Sequence, residues 1–110
     1  MERFVKGNVV IIPFPFSDLS DSKRRPALVL ADLQGNDIIL WQITSQNSRD
    51  YFSINLDSSD FENGSLPVNS LIRPNRIFTA DKNIIIRKVG KISNDKLNSV
   101  YNALNSLFSL

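Results

Sequence analysis

Three residues in this 110-residue chain are of a type and placement that could grip a phosphate: Arg25, Thr44 and Arg73. Arginine suits the task because its planar fork donates two hydrogen bonds and stays charged at every relevant pH. Arg25 lies where a polar loop meets an apolar run. It precedes Pro26, which disfavours helical backbone for the residue before it, so Arg25 should be extended at a strand mouth. Thr44 ends another apolar run, and Ser45-Gln46-Asn47-Ser48 follows. Polar side chains clustered at a strand end suit a phosphate or a sugar hydroxyl. Arg73 opens a second basic segment. The plain alternative for each is a solvated arginine, or a threonine chosen for its β propensity.

What is missing narrows the chemistry. The chain has no Cys and no His. A disulfide framework, a Cys or His zinc site, a thiol nucleophile and a Ser-His-Asp triad are therefore excluded. Carboxylates, hydroxyls, Lys, Arg and backbone groups remain. Its 4 glycines are scattered, so there is no Gly-rich phosphate loop. Asp57, Asp60 and Glu62 resemble an ordinary solvated loop more than a cation site. Neither a metal nor a cofactor is expected.

Net charge is only +2, from 13 Lys and Arg against 11 Asp and Glu. Its distribution is uneven. Lys23, Arg24 and Arg25 form a basic triplet. Arg73, Arg76, Lys82, Arg87, Lys88 and Lys91 follow later against one acid, Asp81, while residues 50–62 are acidic. Such segregation fits either one positive face for a polyanion or a merely solvated surface. Hydrophobic residues make up 42% and charged residues 22%, an ordinary globular composition. The length predicts a single domain, residues 1–110. No apolar run approaches ~18 residues and no signal-peptide pattern opens the chain, so no membrane span and a cytoplasmic location are expected.

The elements that must position these residues are short. Residues 9–12, 26–31 and 38–44 are apolar, β-rich runs and predict three strands, with a turn at Gly35-Asn36-Asp37 between the second and third. Pro13-Phe14-Pro15-Phe16 should end pairing or place it at an edge. Residues 51–56 predict a fourth strand, 57–64 a polar loop, 65–73 an edge strand containing Pro67, and 83–92 a sixth. After Ser93 the pattern changes. Leu97, Val100, Tyr101, Leu104, Leu107 and Phe108 recur at spacings of three and four, one apolar stripe of a helix capped by Ser93. Asp95 suits the positive end of its dipole. Mainly β structure with a C-terminal helix suggests a small barrel. Trp41 and the Phe residues are better placed for a core than for base stacking.

These pieces also resemble a known family. The order Gly7-Asn8-Val9-Val10, a polar loop, Arg25-Pro26-Ala27-Leu28-Val29-Leu30, then Gln42-Ile43-Thr44 is similar to the MazF/PemK toxins of type II toxin–antitoxin systems. Gly64-Ser65-Leu66, Ile72-Arg73, Phe78-Thr79-Ala80-Asp81 and Arg87-Lys88-Val89-Gly90-Lys91-Ile92-Ser93 continue the match over nearly the whole chain.

The resemblance implies a compact SH3-like/CcdB-type barrel acting as a homodimer. It implies a sequence-preferring, metal-independent endoribonuclease (an mRNA interferase) that cleaves single-stranded RNA by attack of the ribose 2′-OH. An antitoxin protein would block the RNA groove. The catalytic pair maps onto Arg25 and Thr44, and a second arginine onto Arg73. Lys23, Arg24, Arg73, Arg76, Ser45 and Gln46 are the expected RNA contacts, with Asp18 or Asp21 as loop acids that could approach. Two positions depart from the pattern: Asn8, where many members carry Asp, and Asn75, where one branch carries an acid. The alternative on a similar fold is a non-catalytic CcdB-like toxin or binding barrel acting on a protein.

Overall fold

The computed structural model describes residues 3–14, 23–44 and 53–109. Its strands are β1 (Asn8–Phe14), β2 (Lys23–Asp32), β3 (Asp37–Thr44), β4 (Ile54–Leu56), β5 (Phe61–Gly64), β6 (Ser70–Asp81) and β7 (Arg87–Ile92); helix α1 (Asn94–Phe108) closes the chain. The strands form one sheet in the order β4-β6-β3-β2-β1-β7-β5. Every pairing is antiparallel. The sheet curls into a half-barrel with α1 as its helix.

Both faces of the sheet are buried at its centre. One carries Val9, Leu28, Trp41, Ile43, Ile72 and Ile92, against which Leu97 and Val100 of α1 pack. The other carries Val10, Ile12, Ala27, Val29, Ile38 and Leu40, with Phe4, Phe78 and Ile85 against them. A strand covered on both sides reads as a continuous apolar run, and this is why β3, Asp-Ile-Ile-Leu-Trp-Gln-Ile-Thr, lacks strict alternation. Trp41 is fully buried and meets Tyr101 edge-on, with ring centroids 5.8 Å apart, so it is a core residue.

The helix begins as expected. Ser93 is the N-cap, its Oγ accepting the Lys96 N–H at 3.2 Å. Leu97 and Val100 are buried, and Tyr101 and Leu104 pack beside them. Phe108 is 78% exposed instead of joining that stripe.

Elsewhere the elements shift. Residues 57–64 are not all loop: Asp57 and Asp60 cap a 3₁₀ turn (Ser58–Asp60), and β5 follows, with Phe61 paired to Ile92. The strand expected at 65–73 is displaced to Ser70–Asp81, beyond Pro67. It continues past Pro74 through a bulge: Arg73 pairs with Gln42 and Ile77 with Trp41, leaving 74–76 out of the ladder. A bulge is the standard place for a proline that has no N–H to give. The last strand starts at Arg87, after a 3₁₀ turn (Lys82–Ile84) capped by Asp81.

Candidate active site

The β2–β3 ladder ends at Ala27–Gln42, since Pro26 has no N–H to extend it. Arg25 and Thr44 each lie two residues past that last pair, on adjacent antiparallel strands. The same strand end therefore presents both. On its other side Arg25 stands opposite Ile12, which is buried. Directly opposed residues share a face. Arg25 thus lies on the face of Ile12, Ala27 and Val29, away from α1.

Arg73 joins them from a distant part of the chain. It stands opposite Gln42, and Thr44 stands opposite Leu71. Alternation puts Gln42 and Thr44 on the face of Leu40, so Arg25, Gln42, Thr44 and Arg73 share one end of one face. Strand and residue spacings set Arg25 and Arg73 about 12 Å apart at Cα, with β3 between them. Thr44 is only 3% exposed. Arg25 and Arg73 are half-buried, and the Arg73 Nε is buried. Thr44 and Arg73 are both held by interactions with neighbouring groups.

Charge along these strands is polarised. The acids of β2, β3 and β6 sit at the opposite end: Asp37 pairs with Asp81, and Asp32 is about 23 Å along β2 from Arg25. Lys82 belongs to that end too. It forms an ion pair with Asp32 and donates to the carbonyls of Leu33 and Gly35 at 3.0 and 2.9 Å. Lys91 pairs with Glu62 at 3.7 Å, and Lys88 donates to the Arg3 carbonyl at 3.3 Å. The bases between 73 and 91 therefore do not form a single positive face. Among them, Arg73 reaches the face that carries Arg25, while Arg87 lies at the same sheet end, across β1 from Pro26.

Of the other expected RNA contacts, Arg24 is exposed one residue before Arg25 and alternates to the opposite face; Arg76 is exposed in the β6 bulge. The Lys23 and Asn75 side chains lie outside what is described, as do Ser45, Gln46, Asp18 and Asp21. Asn8 is not at the site. It is buried at the start of β1, about 13 Å along the strand from Ile12, and its Oδ1 accepts the Val5 N–H at 2.8 Å. That role is a turn cap, which an Asn performs as well as an Asp.

At the same sheet end, but on its α1-side face, is a cleft of about 320 Å³ between Ile11, Pro26 and Ile43 of the sheet and Leu66, Pro67 and Val68 of the connection above it. Arg24 and Arg25 also line it. Two arginines beside an apolar hollow can hold a phosphate and shelter a flat apolar group at once.

The whole arrangement, strand order included, has known relatives. Residues 5–108 match the family described as PemK-like, MazF-like toxin of type II toxin-antitoxin system. The chain belongs to this family. Solved structures agree on the fold. A MazF from Deinococcus radiodurans superposes with a TM-score of 0.76 at 21% identity, covering 100% of both chains. A MazE-MazF complex from the same organism gives 0.75 at 19%, covering 100% of this chain and 99% of that one. An endoribonuclease in complex with its cognate antitoxin, from a mycobacterial species, gives 0.76 at 16%, covering 100% and 97%. No curated protein matches the chain in sequence.

In this PemK/MazF-like toxin the residues singled out by type, Arg25, Thr44 and Arg73, are brought to one end of one face. The sequence reading passes over Gln42. The signal was available: a lone amide in the apolar run 38–43.

Proposed function

We propose that this PemK/MazF-like toxin is a metal-independent endoribonuclease that cleaves single-stranded RNA at the strand end bearing Arg25 and Thr44. The observation that carries this is the convergence of Arg25, Thr44 and Arg73 on one face at one end of the sheet. The solved relative named as an endoribonuclease, with the same fold, adds weight.

The nucleophile is supplied by the substrate, so a chain without Cys or His loses nothing. The ribose 2′-oxygen bonds to the adjacent phosphorus and gives up its proton. The P–O5′ bond breaks, and the departing 5′-oxygen takes a proton. The products are a 2′,3′-cyclic phosphate and a 5′-OH. Arg25 donates to the non-bridging oxygens, where negative charge grows in the transition state. Thr44, enclosed and held, offers its hydroxyl beside the reacting group without having to reorganise. Arg73 binds a neighbouring phosphate. Lys23, Arg24, Arg76, Ser45 and Gln46 extend the backbone track. A guanidinium is a poor base because it hardly ever releases its proton. Arg25 therefore stabilises charge instead of removing the 2′ proton.

The remaining parts of the proposal follow from the family. The whole chain, residues 1–110, is one toxin domain that acts in the cytoplasm as a homodimer. A cognate antitoxin silences it, as the antitoxin-bound relatives support. Among the described residues no helix is long and apolar enough to cross a membrane. The test is cleavage of matched single-stranded RNA, double-stranded RNA and single-stranded DNA in excess EDTA. Cutting of single-stranded RNA alone is expected; cutting of DNA, or none at all, would contradict the proposal.

A further inference from the structure

Gln42 is out of character with its surroundings. Its row on the sheet runs from Ala27 on β2, through Gln42, to Arg73 on β6. The rest of its face nearby is apolar: Val10, Val29, Ile38 and Leu40 are all fully buried. A Leu or Val at 42 would simply extend that core. Instead the position holds an amide with two donors and an acceptor oxygen. Gln42 is half-buried, and among the described residues no hydrogen bond reaches its side chain. Neither polar atom of this amide is enclosed, so it opens from an otherwise apolar face toward whatever occupies the neighbouring site. Strands on both sides fix its backbone, which gives a rigid mount for recognition.

Its position defines what it can meet. Gln42 lies about 7 Å along β3 from Thr44, on the same face, with Arg73 directly across. A nucleotide whose phosphate is held by Arg25 or Arg73 brings its base within reach. Resting on the ribonuclease reading above, we infer that Gln42 reads the base flanking the scissile phosphate and selects adenine there. A glutamine amide matches the adjacent donor and acceptor of adenine, N6 and N7, with two hydrogen bonds. In single-stranded RNA such base edges are open to readout.

The experiment sequences the ends of every fragment cut from a long natural RNA by the full chain, by Gln42→Leu and by Gln42→Glu. The unmodified chain is expected to show adenine at one position flanking the cut. Gln42→Leu should lose that preference by about tenfold or more while leaving preferences at other positions intact. Gln42→Glu keeps the size but turns the donor into an acceptor, so it should move the preference toward cytosine, whose N4 donates. If Gln42→Leu does not fold, Gln42→Glu decides alone. No adenine preference in the unmodified chain, an unchanged profile in the variants, or an equal fall at every sequence would overturn the inference. Absence of cleavage by the unmodified chain would instead remove the ribonuclease reading, and this inference with it.

Discussion

Arg73 stands directly across the β3–β6 ladder from Gln42. That pairing brings the second arginine to within two rows of Thr44, though β4, β5's predecessor turn and β5 itself intervene in the chain. The register is set by the bulge at 74–76: without it, Arg73 would fall opposite another residue and a different side chain would face Gln42. The site is therefore a product of sheet register as much as of residue type.

Thr44 should matter through its hydroxyl and not through its bulk. Thr44→Val keeps the shape of an enclosed side chain and removes the oxygen; cleavage should fall by about 10²-fold with little change in melting temperature. Thr44→Ser should restore much of the rate. Single-turnover cleavage beside a thermal melt makes the comparison. Equal rates for Thr44→Val and the unmodified chain would remove Thr44 from the mechanism.

Binding should depend on salt in proportion to the phosphates held. Arg73→Ala should lower the slope of log K against log salt by about 0.7, the value for one phosphate contact on a single strand. Lys82→Ala should leave the slope alone, because Lys82 is engaged with Asp32 and two carbonyls at the other end of the sheet. Titration of a labelled, uncleavable single strand at several salt concentrations reads both.

How much of this was legible in the sequence depends on what each segment relies on. The helix was, because Ser93 caps it locally and Leu97 and Val100 repeat at helical spacing. Strands β1 to β3 were, because β-branched runs buried on both faces announce themselves. β5 was not: Phe-Glu-Asn-Gly has one apolar residue, and its pairing comes from Gly64 lying against Gly90 of β7. β6 was misplaced because Pro74 argues against a strand unless a bulge, which belongs to the tertiary structure, absorbs it. Residue type and placement point to Arg25, Thr44 and Arg73, but only register shows Gln42 on the same face, directly across from Arg73.

The Gly64–Gly90 approach should be intolerant of any side chain. A Cβ on Gly64 would sit 2.1 Å from the Val89 carbonyl oxygen, at a φ of +71°. Gly64→Ala should cost at least about 2 kcal/mol, a fall in Tm of roughly 8 °C or more. Gly35, where a Cβ meets nothing within 4 Å, is the control, and its Ala variant should pay only for its positive φ. Thermal unfolding of the two variants tests this.

Alkaline pH should loosen the helix contact. Desolvation by burial raises the Tyr101 pKa above its ordinary 10.0. The unfolded chain then ionises first, so this contribution to stability is complete below 10.0 and is lost as pH rises through the higher folded value. The melting temperature of the unmodified chain should drop more steeply above pH 10.0 than that of Tyr101→Phe. Parallel melts across that range would show whether the two curves converge.

The most direct test of the central claim is the chemistry of the product ends. Single-stranded RNA is incubated in excess EDTA with the unmodified chain and with Arg25→Ala, and the fragments are analysed by mass spectrometry. The account predicts 2′,3′-cyclic phosphate and 5′-OH ends from the unmodified chain, and a rate lower by ~10²–10³ or more with Arg25→Ala while its fold is retained. Fragments bearing 5′-phosphate ends, or equal cleavage by Arg25→Ala, would contradict it.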